Sequence, residues 1–526
     1  MNRREALKIG SAALLSSAAS GIQAAESKSA NVERWDIFEE NFPGPGGGNP
    51  FLDIWIRAVF RKGNREVWVD GFYDGNGVYK IRFMPDELGG WKFETDSNAP
   101  EMKGKKGLLQ CTPPKSGNHG PVGVRDSYHF GYADGTPYFP FGTTCYAWIH
   151  QTDELQKQTL ESLRSGPFNK IRMCIFPKWY QYNHGIPPRF PFPRVNETND
   201  YNHFNPEFFY HIETRLAELR AMNIEADLIL FHPYDNWGFQ EMPAEVDDRY
   251  LKYVIARFAA YRNVWWSLAN EYDLMRKKTN EDWDRYARIV TETDPYSHLR
   301  SIHYSHAPYD YSRSWCTHAG VQDYAFEKAP QWKKDWRKPV IFDECMYEGN
   351  INSRWGNISG EEMTRRFWLC TVAGAYGGHG ETYVRGDEIE NDKAILWWSH
   401  GGVLKGTSPQ RIAFLRKLLD EIGAEGGDRI GLEAVEPEYY LGAKRNSNQA
   451  LLWYFDFHQP SYYDFPLPES VNFKAECVDP WGMTTKPLEG LFSGKSRIKL
   501  PGKPYQAIIF QKVWLHSGRD EEAPKS

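Results

Sequence analysis

Two short apolar runs in the middle of this 526-residue chain each end in a glutamate. Glu271 follows Asn270 at the end of the run NVWWSLA, and Glu344 follows Asp343 at the end of KPVIF. Two carboxyl groups can divide the work of breaking a glycosidic bond, because one protonates the leaving oxygen while the other attacks the anomeric carbon or activates water. The sequence therefore indicates Glu271 and Glu344 as candidate catalytic residues.

Two other carboxylates lie close to Glu344 in the sequence. Asp343 precedes it on the same run, and successive side chains of a strand point to opposite faces, so we expect Asp343 to face the surrounding helices. Glu348 falls in the loop that follows, where it is either a substrate contact or a solvent-exposed charge. Neither has a strand-end partner like the one that Glu344 has in Glu271.

The elements that would position these side chains lie between residues 122 and 427, where short apolar runs alternate with helical patterns. Such alternation is typical of an α/β fold built from repeated strand-helix units. Eight repeats in about 300 residues predict a closed (β/α)8 TIM barrel, whose active site lies at the carboxyl ends of its strands. An open doubly wound sheet is the alternative, but no GxGxxG motif follows an early strand. The candidate strands are PYFPFGTTCYAW, NKIRMCIF, EADLILFH, NVWWSLANE, LRSIHYS, SWCTHAGVQ, KPVIFDE and GGHGETYV.

The order of these motifs resembles the clan A glycoside hydrolases, in which an Asn-Glu pair ends the fourth strand and a glutamate ends the seventh. A narrower resemblance, to the apiosidase-like barrel family with its β-sandwich companions, is carried by several longer segments. These segments are KPVIFDECMYEG, SLANEYDL, LILFHPYDNWGF, SIHYSH, CTHAGVQ and WWSHGGVLKGTSPQRIAFLRKLL.

The resemblance implies a retaining, double-displacement hydrolysis with Glu344 as nucleophile and Glu271 as acid/base. It gives Asn270 the task of holding the sugar hydroxyl next to the reacting carbon. It further implies a β-D-glycosidic bond, or the stereochemically equivalent α-L bond, in an oligo- or polysaccharide of plant or algal origin. No cofactor and no metal are implied.

Arg172 follows Ile171 inside the second apolar run, where an unpaired guanidinium would be costly to bury. It therefore needs an anionic partner. The clan pattern suggests the Glu344 carboxylate, whose pKa would then stay low. A salt bridge elsewhere in the barrel is the alternative.

Three histidines fall at predicted strand ends: His232 on strand three, His303 on strand five and His318 on strand six. We expect them at the pocket as hydrogen-bonding partners of sugar hydroxyls. A metal site is the alternative, but they come from separate strands without a short ligand spacing, and hydrolysis by two carboxylates needs no metal.

Aromatic residues make up 15% of the chain, and several tryptophans lie at or just past predicted strand ends. An aromatic face at such a position can form a platform for a sugar ring, although large cores also contain many aromatic side chains. The candidate platforms are Trp148, Trp179, Trp237, Trp397 and the adjacent Trp398.

Other segments flank the barrel. Residues 31–118 and 428–516 read as short strands divided by Gly- and Pro-containing turns, which predicts an Ig-like β-sandwich before the barrel and a second sandwich after it. Residues 517–526 are charged and nearly without apolar side chains, so we expect a disordered tail.

The first 25 residues have the layout of an export signal, with a cationic start, a short apolar stretch and small residues at the end. Adjacent Arg3 and Arg4 make it resemble a twin-arginine signal, which predicts a periplasmic or extracellular protein. The apolar run is well short of the roughly 20 residues that a spanning helix needs, so no membrane insertion is expected.

The composition and charge of the chain narrow the classes of protein to which it could belong. A net charge of −6, with no concentrated basic stripe, argues against a nucleic-acid partner. The 7 cysteines are odd in number and widely spread, unlike a dense disulfide framework. Two alternatives to the hydrolase remain open: a barrel that binds carbohydrate without turnover, and a metal-dependent hydrolase that uses the histidines.

Overall fold

The computed structural model describes residues 30–386, 388, 394–422, 432–435, 441–445 and 450–513. The predicted signal at 1–25 and the predicted tail at 517–526 lie outside these residues. The predicted junction between the barrel and the second sandwich, at 427/428, also lies outside them.

The centre of the molecule is a barrel of eight parallel strands. In sheet order these strands are β5-β4-β3-β2-β1-β8-β7-β6, and a parallel bridge between His303 and Gly320 joins the two ends. The predicted TIM barrel is therefore confirmed. The strands are β1 (Gly142–Thr144), β2 (Lys170–Cys174), β3 (Glu225–Phe231), β4 (Val264–Ala269), β5 (Arg300–Ser301), β6 (Ala319–Gln322), β7 (Val340–Glu344) and β8 (Tyr376–His379).

Helices surround the barrel, each beginning after a strand. In α2 the Asn205 side chain caps the first turn, and Phe208, Ile212 and Leu216 are buried on one face, as their helical spacing predicts. The helices are α1 (Asp153–Ser165), α2 (Pro206–Ala221), α3 (Ala244–Phe258), α4 (Asn280–Thr293), α5 (Ala329–Trp336), α6 (Gly360–Val372) and α7 (Ser408–Ile422), with a single turn at Trp397–His400 before α7.

The connection from β5 to β6 contains no helix in the described residues 302–318, so the expectation of eight strand-helix repeats is wrong at this point. Pro308 and a turn in which Asp310 accepts from Ser312 break the helical pattern. The buried Tyr311 fills the space, and its hydroxyl donates to the carbonyl oxygens of Ile302 at 2.9 Å and Gly320 at 2.5 Å.

A small antiparallel sheet covers the amino end of the barrel. Its strands are Val122–Arg125, His129–Tyr132 and Pro137–Tyr138. Phe130 from this sheet packs against Trp265 and Tyr376, with ring centroids 5.3 Å from each. The carboxyl end of the barrel is the end that holds a cavity lined by the candidate site residues.

The N-terminal region is a β-sandwich that packs on the outside of the barrel. Phe60 and Phe83 stack between its two sheets with centroids 4.0 Å apart. One sheet contains, in spatial order, Ala30–Glu33, Lys106–Thr112, Gly89–Ser97, Ile56–Lys62 and Arg65–Asp70; the other contains Phe38–Pro43, Val78–Phe83 and Phe72–Tyr73.

A buried ion network joins this sandwich to helices α2 and α3. Arg82 donates to Glu213 Oε2 at 2.9 Å and to the carbonyl oxygen of Arg257 at 2.6 Å. Arg257 in turn donates to Glu213 Oε1 and to Asp74 Oδ1, each at 2.7 Å. Glu213 therefore forms an ion pair with one arginine from each domain.

The C-terminal region is a second β-rich unit, which contacts α6. Tyr454 stacks on Trp368 at 5.5 Å, and Arg365 Nη2 donates to Asp456 at 2.9 Å. Its larger sheet contains Glu433–Val435, Leu441–Arg445, Ala450–Tyr454, Ala507–Lys512, Phe473–Asp479 and Thr484–Phe492, and its smaller sheet contains Tyr462–Pro466 and Lys495–Lys499.

All seven cysteines lie within the described residues and none is paired in a disulfide. Six are buried and Cys477 is half-buried. Within the described part of the chain, no helix combines the length and the apolar character that crossing a bilayer requires.

Candidate active site

A cavity of about 460 Å³ opens among the loops that follow the carboxyl ends of the barrel strands. Glu271, Glu344 and Asn270 all line it, as their positions at the ends of β4 and β7 predict. The two candidate carboxyl groups thus face the same space.

Glu271 immediately follows β4 and adopts a left-handed backbone conformation with φ of 49°. That region is sparsely populated by residues other than glycine, and such strain persists where the surrounding structure enforces it. The Tyr234 hydroxyl donates to Glu271 Oε2, and Gln322 Nε2 donates to Oε1 at 3.3 Å. Both carboxylate oxygens are therefore held by side chains from the ends of two other barrel strands, β3 and β6.

Glu344 ends β7 and accepts a hydrogen bond from the Tyr146 hydroxyl. Arg172 Nη1 lies 3.8 Å from Glu344 Oε1. Burial nevertheless raises the pKa of Glu344 to about 8, a change that a hydrogen bond with Tyr347 partly opposes. The expected low pKa of this carboxyl group is therefore wrong, because the cost of burying its charge outweighs one long ion pair.

Asn270 connects the two glutamates. Its Oδ1 lies 3.1 Å from the Tyr146 hydroxyl oxygen, and its Nδ2 lies 3.5 Å from Glu271 Oε2. Tyr146 therefore contacts both Glu344 and Asn270. A continuous chain of polar contacts thus runs from one carboxyl group to the other.

Arg172 is fully buried beneath the cavity rather than lining it. Its Nε lies 3.6 Å from Asp227 and 3.8 Å from Asp343, so the expected partner Glu344 is one of three acidic neighbours. Burial alone would lower the pKa of Arg172, but Asp343 and Asp227 raise it above its ordinary value. The guanidinium stays charged below the site.

Asp343 points into the barrel, where Lys170 Nζ donates to it at 2.9 Å, so the expectation that it faces the helices is wrong. The ladder between β6 and β7 shifts register here: Val321 pairs with Phe342, but Gln322 pairs with Glu344. This irregularity breaks the alternation of faces on which the expectation rested.

The three histidines at predicted strand ends are buried and do not line the cavity. His232 Nδ1 accepts from the backbone N–H of Tyr234 at 3.1 Å, so it shapes the loop that carries Tyr234. His303 lies deep in the barrel, where burial and Arg172 lower its pKa. His318 precedes β6 instead of ending it and packs edge-on against Trp265 at the amino end. The expected contacts of these histidines with substrate are therefore not met by the geometry.

Another group, Glu348 with His379 and Glu381, is the one described cluster in which three side chains could approach a metal ion. The Glu348 carboxylate already accepts hydrogen bonds, from Ser408 Oγ at 2.5 Å and from the Thr407 N–H at 2.6 Å. These hydrogen bonds lower the pKa of Glu348 against the effect of burial. Glu348 is thus a buried anchor for a loop, and neither a substrate contact nor a solvated charge.

The predicted aromatic platforms need correction. Trp148 is completely buried, and Trp397 is buried with its indole N–H donating to Thr143 Oγ1 at 2.8 Å. Trp179 and Trp237 are half-buried and pack edge to face at 5.9 Å, outside the cavity lining. Trp398 does line the cavity, beside Trp355 at 4.9 Å.

Several lining residues were not singled out by the sequence. They share a position just after a barrel strand, which is the signal that could have found them. These residues are Tyr146 after β1, Lys178 and Tyr180 after β2, Tyr234 after β3, Gln322 at the end of β6, and Tyr347 and Trp355 after β7.

A TIM barrel that presents two glutamates from strands four and seven to one cavity defines a glycoside hydrolase in class. The comparisons with known proteins specify this further. Residues 125–421 match the family described as the apiosidase-like catalytic domain, and the chain belongs to that family. Residues 31–98 and 439–511 match two domains of unknown function, DUF5060 and DUF5605.

Solved structures agree with this assignment. The chain is similar to a candidate glycoside hydrolase from Bacteroides vulgatus, with 37% identity, a TM-score of 0.86, and coverage of 92% of this chain and 100% of the other. A family 5 glycoside hydrolase from the same organism shares the fold at 15% identity and a TM-score of 0.56, covering 75% of this chain and 93% of that one. No curated protein matches the chain. The resemblance to clan A and to the apiosidase-like family is confirmed, and the chain is a glycoside hydrolase.

Proposed function

We propose that the enzyme is a retaining glycoside hydrolase in which Glu344 is the nucleophile and Glu271 is the acid/base. The observation that carries this proposal is the placement of both carboxyl groups in one cavity, each with its own tyrosine donor and with Asn270 between them. Different surroundings give two chemically identical groups different duties.

In the first step Glu344 attacks the anomeric carbon, and the bond to the leaving oxygen breaks while Glu271 gives that oxygen a proton. In the second step Glu271 removes a proton from water, which attacks the glycosyl ester and releases Glu344. Two inversions at one carbon give net retention. Tyr146 and Arg172 stabilise the negative charge of Glu344 before the attack and after its release.

Membership of the family supports a further proposal about the substrate and the bond that is cleaved. We propose β-D-glycosidic bonds, or equivalent α-L bonds, of a plant or algal polysaccharide. We also propose export through a twin-arginine signal, with a mature protein that begins near residue 25 and domains at 31–118, 122–427 and 428–516. N-terminal sequencing of protein secreted by the native host tests the proposed export signal, and a retained Met1 contradicts it.

The mechanism is tested by the anomeric configuration of the product, followed by NMR during hydrolysis of an aryl glycoside that the enzyme cleaves. Wild type should release product with the configuration of the substrate. Glu344→Ala should abolish turnover, and added azide should restore a reaction with inverted product. Glu271→Ala should still form the glycosyl ester with an activated leaving group, and azide should then give a retained product.

Glu281→Ala is the matched control, because Glu281 is exposed on α4, away from the cavity. It should leave the rate and the configuration unchanged. Inverted product from wild type would overturn the mechanism, and near-normal activity in Glu344→Ala or Glu271→Ala on a natural substrate would overturn the two assignments.

A further inference from the structure

The most unusual residue lining the cavity is Lys178, in the loop after β2. The residue is only 3% exposed, yet it contributes to the cavity wall. Four aromatic rings surround its ammonium group, with centroids 4.2 Å away for Tyr146 and Trp398, 4.8 Å for Tyr234 and 5.3 Å for Tyr180.

The ammonium group has no carboxylate within 4.0 Å and no side-chain hydrogen bond to any of the residues that the structure describes. The nearby acid Glu271 attracts the ammonium group and raises its pKa, but it lies beyond 4.0 Å, and its oxygens are already contacted by Tyr234, Gln322 and Asn270. A lysine ammonium carries three donor hydrogens and no acceptor. With rings on its flanks, these donors are left for whatever enters the cavity.

The energetics favour an anion as that occupant. Burial disfavours the charged ammonium and lowers the pKa of Lys178 to about 8, so the group is still largely protonated at neutral pH. Aromatic faces attract a cation but do not neutralise it. A neutral hydroxyl would satisfy one donor and add no opposite charge beyond the attraction of Glu271, whereas a carboxylate or a sulfate supplies both an acceptor and the opposite charge.

We propose that the cavity binds a sugar unit bearing an anionic substituent, a carboxylate or a sulfate ester, and that Lys178 recognises this substituent. The proposal rests on the proposed function, because it names the substrate class of the same site. The cavity lining also holds the acids Glu271, Glu344 and Asp323, which repel an anion placed near them, and a second cation, Arg354. The substituent is therefore expected on the side walled by Lys178, Trp398 and Tyr180.

The test compares matched aryl glycosides that differ only in charge. The pairs are 4-nitrophenyl β-D-glucuronide with the glucoside, the galacturonide with the galactoside, and the 6-sulfated galactoside with the galactoside. Wild type should prefer the charged member of at least one pair, and the uronide and sulfate arms identify which anion is bound. Lys178→Met keeps the length of the side chain and removes its charge. It should lower kcat/KM for the charged member by about 100-fold, as expected for loss of a buried charge partner, and change the neutral member far less.

Lys277→Met is the matched control, since Lys277 is exposed and outside the cavity lining. It should preserve the selectivity of wild type. Equal losses on both members in Lys178→Met would show that Lys178 acts through Glu271, and a wild-type preference for neutral members would show that the cavity takes no anionic sugar. Either result overturns the proposal. Lys178→Gln serves as the second variant if Lys178→Met does not fold.

A binding measurement distinguishes the failure of this inference from the failure of the proposed hydrolytic mechanism. Glu344→Gln protein is titrated calorimetrically with D-galacturonate, D-glucuronate, D-galactose 6-sulfate and D-galactose, with and without Lys178→Met. Anion binding that requires Lys178, without hydrolysis of any glycoside by wild type, would support the inference and overturn the proposed mechanism. Hydrolysis of neutral glycosides without Lys178-dependent anion binding would overturn the inference about Lys178 and leave the proposed hydrolytic mechanism supported.

Discussion

At the scale of single residues, the site holds each glutamate with the hydroxyl of a tyrosine that follows another barrel strand. Tyr146 serves Glu344 and Tyr234 serves Glu271. A donor aimed at a carboxylate stabilises its charged form, and this effect is strong where water is excluded. The tyrosines therefore help to determine where each carboxylate points, and the Tyr146 donor also favours the charged form of Glu344.

Replacing Tyr146 tests this role at the nucleophile. Tyr146→Phe removes the donor to Glu344 and the contact with Asn270 while it keeps the ring. We expect kcat/KM to fall by about 10- to 100-fold and the pKa of Glu344 to rise further, because the carboxylate loses a stabilising donor. Steady-state kinetics across pH measure both effects. Tyr182→Phe, outside the cavity lining, is the control, and an unchanged acidic limb in Tyr146→Phe would contradict the argument.

The pH dependence of wild type follows from the burial of Glu344. Its pKa of about 8 lies above the ordinary 4.5, so the proton stays bound at pH values where an exposed glutamate is ionised. The nucleophile must be ionised, so kcat/KM should fall as pH drops through this raised pKa. The acidic limb of kcat/KM reports the free enzyme. A limb centred near 4.5 would show that the carboxyl group is not perturbed.

At the scale of elements, loops after the barrel strands are tied down by buried carboxylates, and Glu348 is the clearest case. Its carboxylate accepts hydrogen bonds from the Thr407 N–H, the Ser408 hydroxyl and the Tyr383 hydroxyl. These bonds connect the segment after β7 to the start of α7. One side chain thus joins two loop segments that are distant in the sequence.

Glu348→Ala should remove this anchor. Several buried donors would lose their acceptor, and we expect a loss of about 3 kcal/mol in the free energy of unfolding. Chemical denaturation followed by circular dichroism measures it. Glu361→Ala is the control, because Glu361 is exposed in the first turn of α6 and should cost little. A loss in Glu348→Ala no larger than in that control would show that the anchor is dispensable.

The sequence predicts those elements whose side chains obey a regular period. The strand ends at Glu271 and Glu344 were found because buried strands read as apolar runs that stop at a polar residue. The direction of Asp343 was missed because a register irregularity replaces simple alternation, and the absence of a helix before β6 was missed because Tyr311 fills that space by tertiary contacts. Lys178 was missed because its significance lies in four rings from separate segments.

At the scale of the whole molecule, the sandwich and the barrel share a buried ion network instead of a flexible joint. Arg82, Glu213 and Arg257 have side chains less than 5% exposed. Burying charges is costly, so removing one member leaves the others uncompensated. The two domains are expected to unfold together as long as the network is complete.

Arg82→Met tests this coupling. We expect a destabilisation of about 3–5 kcal/mol, as for a broken buried ion pair. Differential scanning calorimetry should show the N-terminal transition separating from that of the barrel. Arg57→Met is the matched control, because its ion pair with Asp96 is exposed and should contribute about 0–1 kcal/mol. A single unshifted transition in Arg82→Met would show that apolar contacts alone hold the domains together.

The unpaired cysteines provide natural probes for the local opening of the protein. A thiol that is buried reacts with a labelling reagent only when the surrounding structure opens, so its labelling rate measures a local opening equilibrium. Cys111 reports on the N-terminal sandwich, and Cys145 and Cys345, which directly follow β1 and β7, report on the barrel beside the cavity. The native chain thus carries buried probes in the sandwich and in the barrel, so the order in which these two units open can be followed without adding a label site.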